Sequence, residues 1–426
     1  LKPDEDSYRY ALSLVLNQLG RASDALHELE IVFQANPTNM EYAHAYGATL
    51  LDLGRVSDAI LPLENAIQTK SFTSPKPYLD YAQAALELIH QGNDVISTQA
   101  VLDAVEVAIT FESDLPEAKA IYAEALQANG NFETAIKIYQ EALDTNLVSD
   151  NHWKTRLSIG MGQVAYELGK FDIAIASAQE AISAAPLNAE SYKLLSNAYL
   201  ASNLFEDALR AARTVLNLNI DNLVNLAWYA DQIVRLIYHH DAQTSPTYQN
   251  QTKQAILEAQ NALIQGVQLA PHRTDLLIKL SKLQQMTGDI NAALASINLV
   301  VHNDNATVEH LNQAAEQFQS LGDLSGAISC LEKAVSIERA HTSKPFPNLL
   351  ARLAQAYATN GDLSAACDTY AKAISQSPEL GILYYERTNL LLKLAQMDEA
   401  FGCVETGISL SHREPILPRL YFQAGW

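Results

Sequence analysis

Several features that mark whole classes of protein are missing from this sequence of 426 residues. No apolar run approaches the roughly 20 residues that a helix needs to span a bilayer, and the first residues hold no apolar segment of a secretory signal. No basic cluster or arginine-rich run occurs, and such runs supply the phosphate contacts of nucleic-acid-binding proteins. We therefore expect no membrane insertion, no nucleic-acid partner and a cytoplasmic location.

Cysteine is also scarce. The three cysteines, Cys330, Cys367 and Cys403, are odd in number and form no Cys-x-x-Cys pair. Structural disulfides and a thiolate zinc site are therefore both disfavoured. We interpret all three as small buried apolar side chains.

Motifs of the common catalytic and cofactor sites are absent as well. The sequence has no Gly-x-Ser-x-Gly, His-Glu-x-x-His or phosphate-loop lysine motif. Gly160 and Gly162 are too close together for a phosphate-binding loop, so we interpret them as a place of close helix packing. His239, His240 and Asp241 suggest a metal site, but neighbouring residues rarely converge on one ion, and a solvated loop is the better interpretation. We predict no catalytic function, no cofactor and no metal.

What the sequence does contain is an acidic surplus and a repeat. The formal charge of −21 is typical of a solvated acidic surface, and it would also favour basic partners. An alanine recurs near the start of every predicted second helix but one, where Val101 takes its place, and five of the spacings are 34 residues, the others being lengthened by insertions. A fixed period of this length indicates a helical solenoid. The alanines are Ala25, Ala59, Ala135, Ala174, Ala208, Ala259, Ala293, Ala327, Ala366 and Ala400.

Turn glycines and small residues agree with this register. Glycines that can end a helix in the left-handed conformation follow most first helices: Gly20, Gly54, Gly92, Gly130, Gly169, Gly288, Gly322 and Gly361. Gly47 and Gly162 recur at a second fixed place, and Tyr199 and Tyr357 at a third. The whole pattern resembles the tetratricopeptide repeat, a helix–turn–helix with the consensus W-x2-L-G-x2-Y…A-x3-F…P.

The resemblance implies an all-α, right-handed superhelical solenoid of about eleven helix–turn–helix units, with residues 1–426 as a single array. We expect a loop inserted at residues 239–252 and the start of a further unit at residues 413–426, so that the native chain continues past Trp426. The units are expected to start near residues 6, 40, 78, 116, 155, 189, 223, 274, 308, 347 and 381.

In tetratricopeptide arrays the first helices line a concave groove, where partner peptides usually bind. We expect the ninth place of each unit to face this groove. That place is apolar in three units and then polar in eight: Leu14, Ala48, Leu86, Glu124, Gln163, Asn197, Asp231, Lys282, Glu316, Gln355 and Asn389. Exposed helix faces are polar in general, so this pattern is open to a purely structural explanation too.

Two binding variants known in the family fit this chain poorly. Lys193 and Asn197 match one unit of a carboxylate clamp, but Trp228 and Asp275 stand where the next units of the clamp need Asn and Lys. The ladder of groove asparagines typical of glycosyltransferase arrays is absent. Lysines and arginines near the groove could bind carboxylates or phosphates of a peptide. Acidic residues lie among these cations, so the charge of the groove is mixed.

We therefore predict a scaffold that binds a partner protein or peptide in its concave groove. The alternative is a regulatory or substrate-recruiting arm of a larger enzyme whose catalytic domain lies outside this fragment, and a third hypothesis is end-to-end self-association. The residues predicted to bind the partner are Arg156, Gln163, Lys193, Asn197, Asp231, Lys279 and Lys282.

Overall fold

The fold is helical throughout the part of the chain that the structure describes. The chain divides into two compact units, unit 1 (Leu1–Leu218) and unit 2 (Asn219–Trp426). All regular elements within the described residues are α-helices, 23 in number, so the all-α class is confirmed. That these helices form one array over the whole chain stays a prediction. The computed structural model describes residues 6–68, 72–93, 95–144, 150–219, 221–239, 246–341, 345–410 and 417–424.

The described residues of unit 1 form six helical hairpins. Each helix packs on the next one along the chain, and each first helix also packs on the next first helix. The helices are α1 (Asp6–Gln18), α2 (Ala22–Ala35), α3 (Met40–Asp52), α4 (Val56–Ile67), α5 (Lys76–His90), α6 (Thr98–Phe111), α7 (Pro116–Ala128), α8 (Phe132–Leu143), α9 (Asn151–Glu167), α10 (Phe171–Ala184), α11 (Ala189–Ala201) and α12 (Phe205–Leu218).

Unit 2 repeats this arrangement with five hairpins and a final helix among its described residues. Consecutive helices again pack on one another. They are α13 (Leu223–His239), α14 (Pro246–Leu269), α15 (Thr274–Met286), α16 (Ile290–Val301), α17 (Val308–Ser320), α18 (Leu324–His341), α19 (Pro347–Thr359), α20 (Leu363–Gln376), α21 (Gly381–Lys393), α22 (Met397–Leu410) and α23 (Leu417–Ala424).

Small buried residues and left-handed turns explain why the hairpins form. The ten recurring alanines are at most 2% exposed, which lets each second helix approach its neighbours closely. All eight turn glycines have φ between 69° and 89°, where a Cβ would be strained. Asn203 and Ala395 adopt the same conformation in two hairpins that lack the glycine.

Most first helices begin at the residue that the repeat predicts, and two begin earlier. Helix α5 begins at Lys76 and α9 at Asn151. Asp150 explains the second difference, because its side chain accepts a hydrogen bond from the backbone N–H of His152 and so caps the helix before the repeat proper.

The loop expected at residues 239–252 is too long. Helix α13 continues to His239 and α14 begins at Pro246, a residue that is favoured in the first turn of a helix. Residues 246–252 are therefore helical, and residues 240–245 lie outside the described part. Within residues 413–426, helix α23 packs on α21 and α22 and buries Leu420 completely.

The interpretation of the cysteines is confirmed. All three are free and buried, on the second helices α18, α20 and α22. Among the residues that the structure describes, no group of three His, Cys, Asp or Glu side chains could hold a metal ion. None of the described helices combines the length and the apolarity needed to cross a bilayer.

Candidate partner-binding site

Ion pairs between a carboxylate and a lysine or arginine join successive first helices at three places among the described residues. In each pair the acid lies on one first helix and the base on the next. Each acid occupies the ninth place of its helix, the place predicted to face the groove. The pairs are Glu124 with Arg156 between α7 and α9, Asp231 with Lys279 between α13 and α15, and Glu316 with Arg352 between α17 and α19.

The pair in unit 1 is the most buried of the three. Arg156 donates from Nε to Oε1 of Glu124 at 2.8 Å and from Nη2 to Oε2 at 2.7 Å. Its guanidinium also lies 5.3 Å from the ring centroid of Trp153. Burial alone would lower the pKa of Arg156, but the hydrogen bonds to Glu124 and its negative charge raise that pKa above its ordinary value. Arg156 therefore stays charged, and Glu124 is its partner.

A cavity of about 570 Å³ lies beside this pair, between α7, α9 and α11. The exposed Gln163 is one of its lining residues. Apolar and polar groups both line it, and among them are Glu124, Tyr139, Arg156, Ile159, Gly160, Gln163 and Glu190. Two of the predicted binding residues, Arg156 and Gln163, thus come together at one cavity.

Gly160 explains how the lining is built. A Cβ at Gly160 would lie 2.4 Å from Cζ of Tyr139, so the aromatic ring occupies the space of the missing side chain. Gly162 is packed in the same way, because its Cβ would lie 2.6 Å from a methyl carbon of Leu194. The interpretation of these two glycines as close helix packing is confirmed.

Gly160 also marks the place where the ion-pair pattern changes. It lies fourteen residues before the buried Ala174, and Lys279 and Arg352 lie fourteen residues before the equivalent Ala293 and Ala366. In α9 the base comes one turn earlier, at Arg156, and no side chain extends from α9 at the equivalent place. The ring of Tyr139 occupies that place instead and lines the cavity.

Tyr139 contributes a neutral, buried ring to the cavity. Its side chain is fully buried, and its hydroxyl lies 3.5 Å from Oε1 of Gln127. Burial, and then the negative charge of Glu124, raise its pKa well above the ordinary value for tyrosine. The hydroxyl therefore stays protonated and serves as a hydrogen-bonding group.

Of the other predicted residues of unit 1, Lys193 is buried and Asn197 is half-buried. Lys193 is 8% exposed, and its Nζ lies 2.7 Å from Oε1 of Glu190. The Oδ1 atom of Asn197 is buried without a hydrogen-bond partner among the described residues. Lys193 is not a lining residue of the cavity, but its partner Glu190 is.

The remaining three predicted residues lie in unit 2. Lys279 donates to both carboxylate oxygens of Asp231, each at 2.7 Å, and Nζ of Lys282 lies 5.7 Å from the ring centroid of Tyr238. None of them belongs to the cavity of unit 1. Whether they contact a partner stays a prediction.

Comparisons with known proteins agree with the repeat that the helices display. Three family models described as tetratricopeptide repeat match the chain, one at residues 117–187, one at 10–74 and 159–220, and one at 311–341 and 347–380. Together they take in more than half of the chain. The chain belongs to the tetratricopeptide repeat family. The predicted resemblance is confirmed.

Solved structures similar to this tetratricopeptide repeat chain have low sequence identity to it. Yeast Tom70 is 16% identical, with 100% of this chain and 89% of that chain covered and a TM-score of 0.38. The human IFIT1 dimer with PPP-AAAA is 14% identical, with coverages of 94% and 82% and a TM-score of 0.44. MamA from Desulfovibrio magneticus RS-1 is 18% identical, with coverages of 44% and 94% and a TM-score of 0.33. A search of curated proteins finds no match.

Proposed function

We propose that the chain is a non-catalytic scaffold whose unit 1 binds an extended segment of a partner protein along α7, α9 and α11. The cavity beside Arg156 receives one side chain of that segment. The observation that carries this proposal is the cavity itself, which lies among first helices and combines a buried aromatic ring with polar groups at its edge. Tetratricopeptide repeat proteins generally act as protein-interaction scaffolds.

The charges of the site support a protein segment over a nucleic acid as the partner. Arg156 and Lys193 are both bonded to acids of the same chain, so they are poorly placed to neutralise the phosphates of a nucleic acid. Exclusion of nucleic acid, the cytoplasmic location, the larger enzyme and self-association all stay predictions.

A peptide selection with the full chain tests the proposal. Short random peptides displayed on phage are selected on the wild-type chain, and the recovered peptides are synthesised with a fluorescent label. Their dissociation constants are then measured by anisotropy with the wild type and with Gln163→Trp, which fills the mouth of the cavity. Thr134→Trp is the matched control, because Thr134 is also exposed but lies on α8 and does not line the cavity.

We expect Gln163→Trp to weaken binding by about tenfold or more, as blocking a central anchor does, and Thr134→Trp to leave it unchanged. Circular dichroism of both variants checks that they fold like the wild type. Recovered peptides that bind both variants as tightly as the wild type would show that the cavity is not the binding site.

A further inference from the structure

We propose that the cavity between α7, α9 and α11 selects a cationic side chain, lysine or arginine, from the partner segment. This inference rests on the proposed function, because it names the chemistry of the side chain that the same cavity receives. Its charge, its lining and its place in the repeat all point to such an occupant.

The charges around the cavity favour an incoming cation. Arg156 is the only lysine or arginine among the described lining residues, and both oxygens of Glu124 accept its hydrogen bonds. The side chain of Glu190 is 62% exposed, although Oε1 bonds to the largely buried Lys193. A carboxylate or phosphate would meet acids and a cation that is already paired, whereas a cation would meet the accessible carboxylate of Glu190.

The net negative charge of unit 1 also favours a cationic occupant. Unit 1 carries 29 acidic residues against 14 lysines and arginines, a formal charge of −15, whereas unit 2 carries 20 against 14. The acidic surplus of the chain is therefore concentrated in the unit that contains the cavity. Glu117 adds a negative charge close enough to act on Arg156. A field of this sign draws cationic segments towards the site and repels anionic ones.

The lining matches the form of a lysine or arginine side chain. Ile159 offers apolar surface beside the buried ring of Tyr139, and Gln127 and Gln163 offer amide oxygens. Lysine and arginine have an aliphatic stem that packs on apolar surface and a charged head that needs hydrogen-bond acceptors. A purely apolar side chain would leave these amides and the carboxylate of Glu190 without a new partner.

Two other first helices carry a cation at the repeat position of Gly160. At the position equivalent to Gly160, α15 has Lys279 and α19 has Arg352. Each of these cations bonds to the ninth-place acid of the preceding first helix. In α9 the equivalent residue has no side chain, and Arg156, one turn earlier, bonds to the ninth-place acid Glu124 instead. A cation from the partner would lie beside this pair and meet the exposed carboxylate of Glu190.

Charge changes at Gln163 test the inference without disturbing the buried pairs. The probe is a peptide recovered by the selection described above, with its lysine or arginine intact or replaced by norleucine, which keeps an aliphatic stem and removes the charge. We expect norleucine to weaken binding by about tenfold. Gln163→Glu should tighten binding of the cationic peptide by about threefold and Gln163→Lys should weaken it by about threefold, the range of a partly exposed charge pair. The norleucine peptide should respond to neither variant, and Thr134→Glu should change neither peptide.

The outcomes separate this inference from the proposed function. Peptides that lose binding on Gln163→Trp but share no lysine or arginine, or that bind equally well with norleucine, would overturn the cationic selectivity and leave the proposed function intact. A shared aspartate or glutamate would overturn it in favour of an anionic occupant. If no recovered peptide loses binding on Gln163→Trp, the proposed function fails and this inference fails with it.

Discussion

Arg156 on α9 holds both carboxylate oxygens of Glu124 on α7, so two residues 32 positions apart form one bidentate pair between neighbouring repeats. Their side chains are 26% and 21% exposed, which places the pair between a surface contact and a buried one. The pair therefore joins two first helices and also fixes the charge at one wall of the cavity.

Breaking this pair on one side should destabilise unit 1. Arg156→Gln leaves Glu124 partly buried without its cation, and we expect a loss of about 1 to 2 kcal/mol in the free energy of unfolding, between the values for exposed and buried pairs. The double variant Glu124→Gln/Arg156→Gln should recover part of that loss, because it leaves no unpaired charge. Urea denaturation followed by circular dichroism measures both. Equal stability of the wild type and Arg156→Gln would contradict the account.

A methyl group at Gly160 should be costly, because the ring of Tyr139 already occupies its place. We expect Gly160→Ala to lower the free energy of unfolding by about 1 to 3 kcal/mol, as overpacking of a core does. Gly402→Ala is the matched control, since Gly402 is a helical glycine with no heavy atom within 4 Å of the added carbon, and there alanine should stabilise by about 0.5 to 1 kcal/mol. Changes of the same sign at the two sites would refute this explanation of Gly160.

The turn between α21 and α22 contains a residue whose backbone conformation is strained. Ala395 has φ of 57°, a conformation that costs a residue with a Cβ about 1 to 2 kcal/mol, and most other hairpins of this chain have glycine there. We expect Ala395→Gly to raise the midpoint of thermal unfolding of unit 2. A lower midpoint would mean that the methyl group of Ala395 contributes packing that outweighs the strain.

Acid should remove the contribution of Asp323 to the start of α18. Its Oδ1 accepts hydrogen bonds from the backbone N–H of Gly326 and from the hydroxyl of Ser325, and these hold the pKa of Asp323 below its ordinary value. Because the folded pKa is the lower one, the stabilisation is complete above the unfolded value of about 4 and is lost as the pH falls through the folded value. Asp323→Ala should cost about 1 kcal/mol at neutral pH and much less at about pH 2. A cost that does not change with pH would contradict this assignment.

The cysteines should be unreactive while the chain is folded. All three are buried, and burial raises the pKa of Cys330 to about 12, so the reactive thiolate is scarce at neutral pH. We expect Ellman's reagent to find no rapidly reacting thiol in the native chain and all three in urea. Rapid reaction of any thiol in the native chain would show that its helix opens readily.

The repeat was predictable because its signals are local. Ala174 and Ala208 recur at a fixed spacing, and a small side chain at that place is what close helix packing demands. The predicted loop extended too far, into residues from Pro246 onward that are helical. A proline in a polar stretch indicates a turn and the first turn of a helix equally well.

The candidate site was predictable only in part. Gln163 followed from the ninth-place pattern, and Arg156 from its charge near the groove. The pairing of Arg156 with Glu124 did not follow, since side chains on neighbouring repeats meet according to helix length and packing, and α9 begins four residues earlier than the repeat register. The one available signal was Gly160, a glycine at the place where Lys279 and Arg352 stand.

The most direct test of the account is photo-crosslinking from the cavity to a bound peptide. A diazirine amino acid no larger than methionine, which leaves the cavity open, replaces Gln163 in one sample and Thr134 in the other, and each is irradiated with a labelled peptide recovered by the selection. We predict a crosslink from position 163, located by mass spectrometry next to a lysine or arginine of the peptide, and none from position 134. A crosslink from position 134 alone would place the partner on another face of unit 1 and contradict the account.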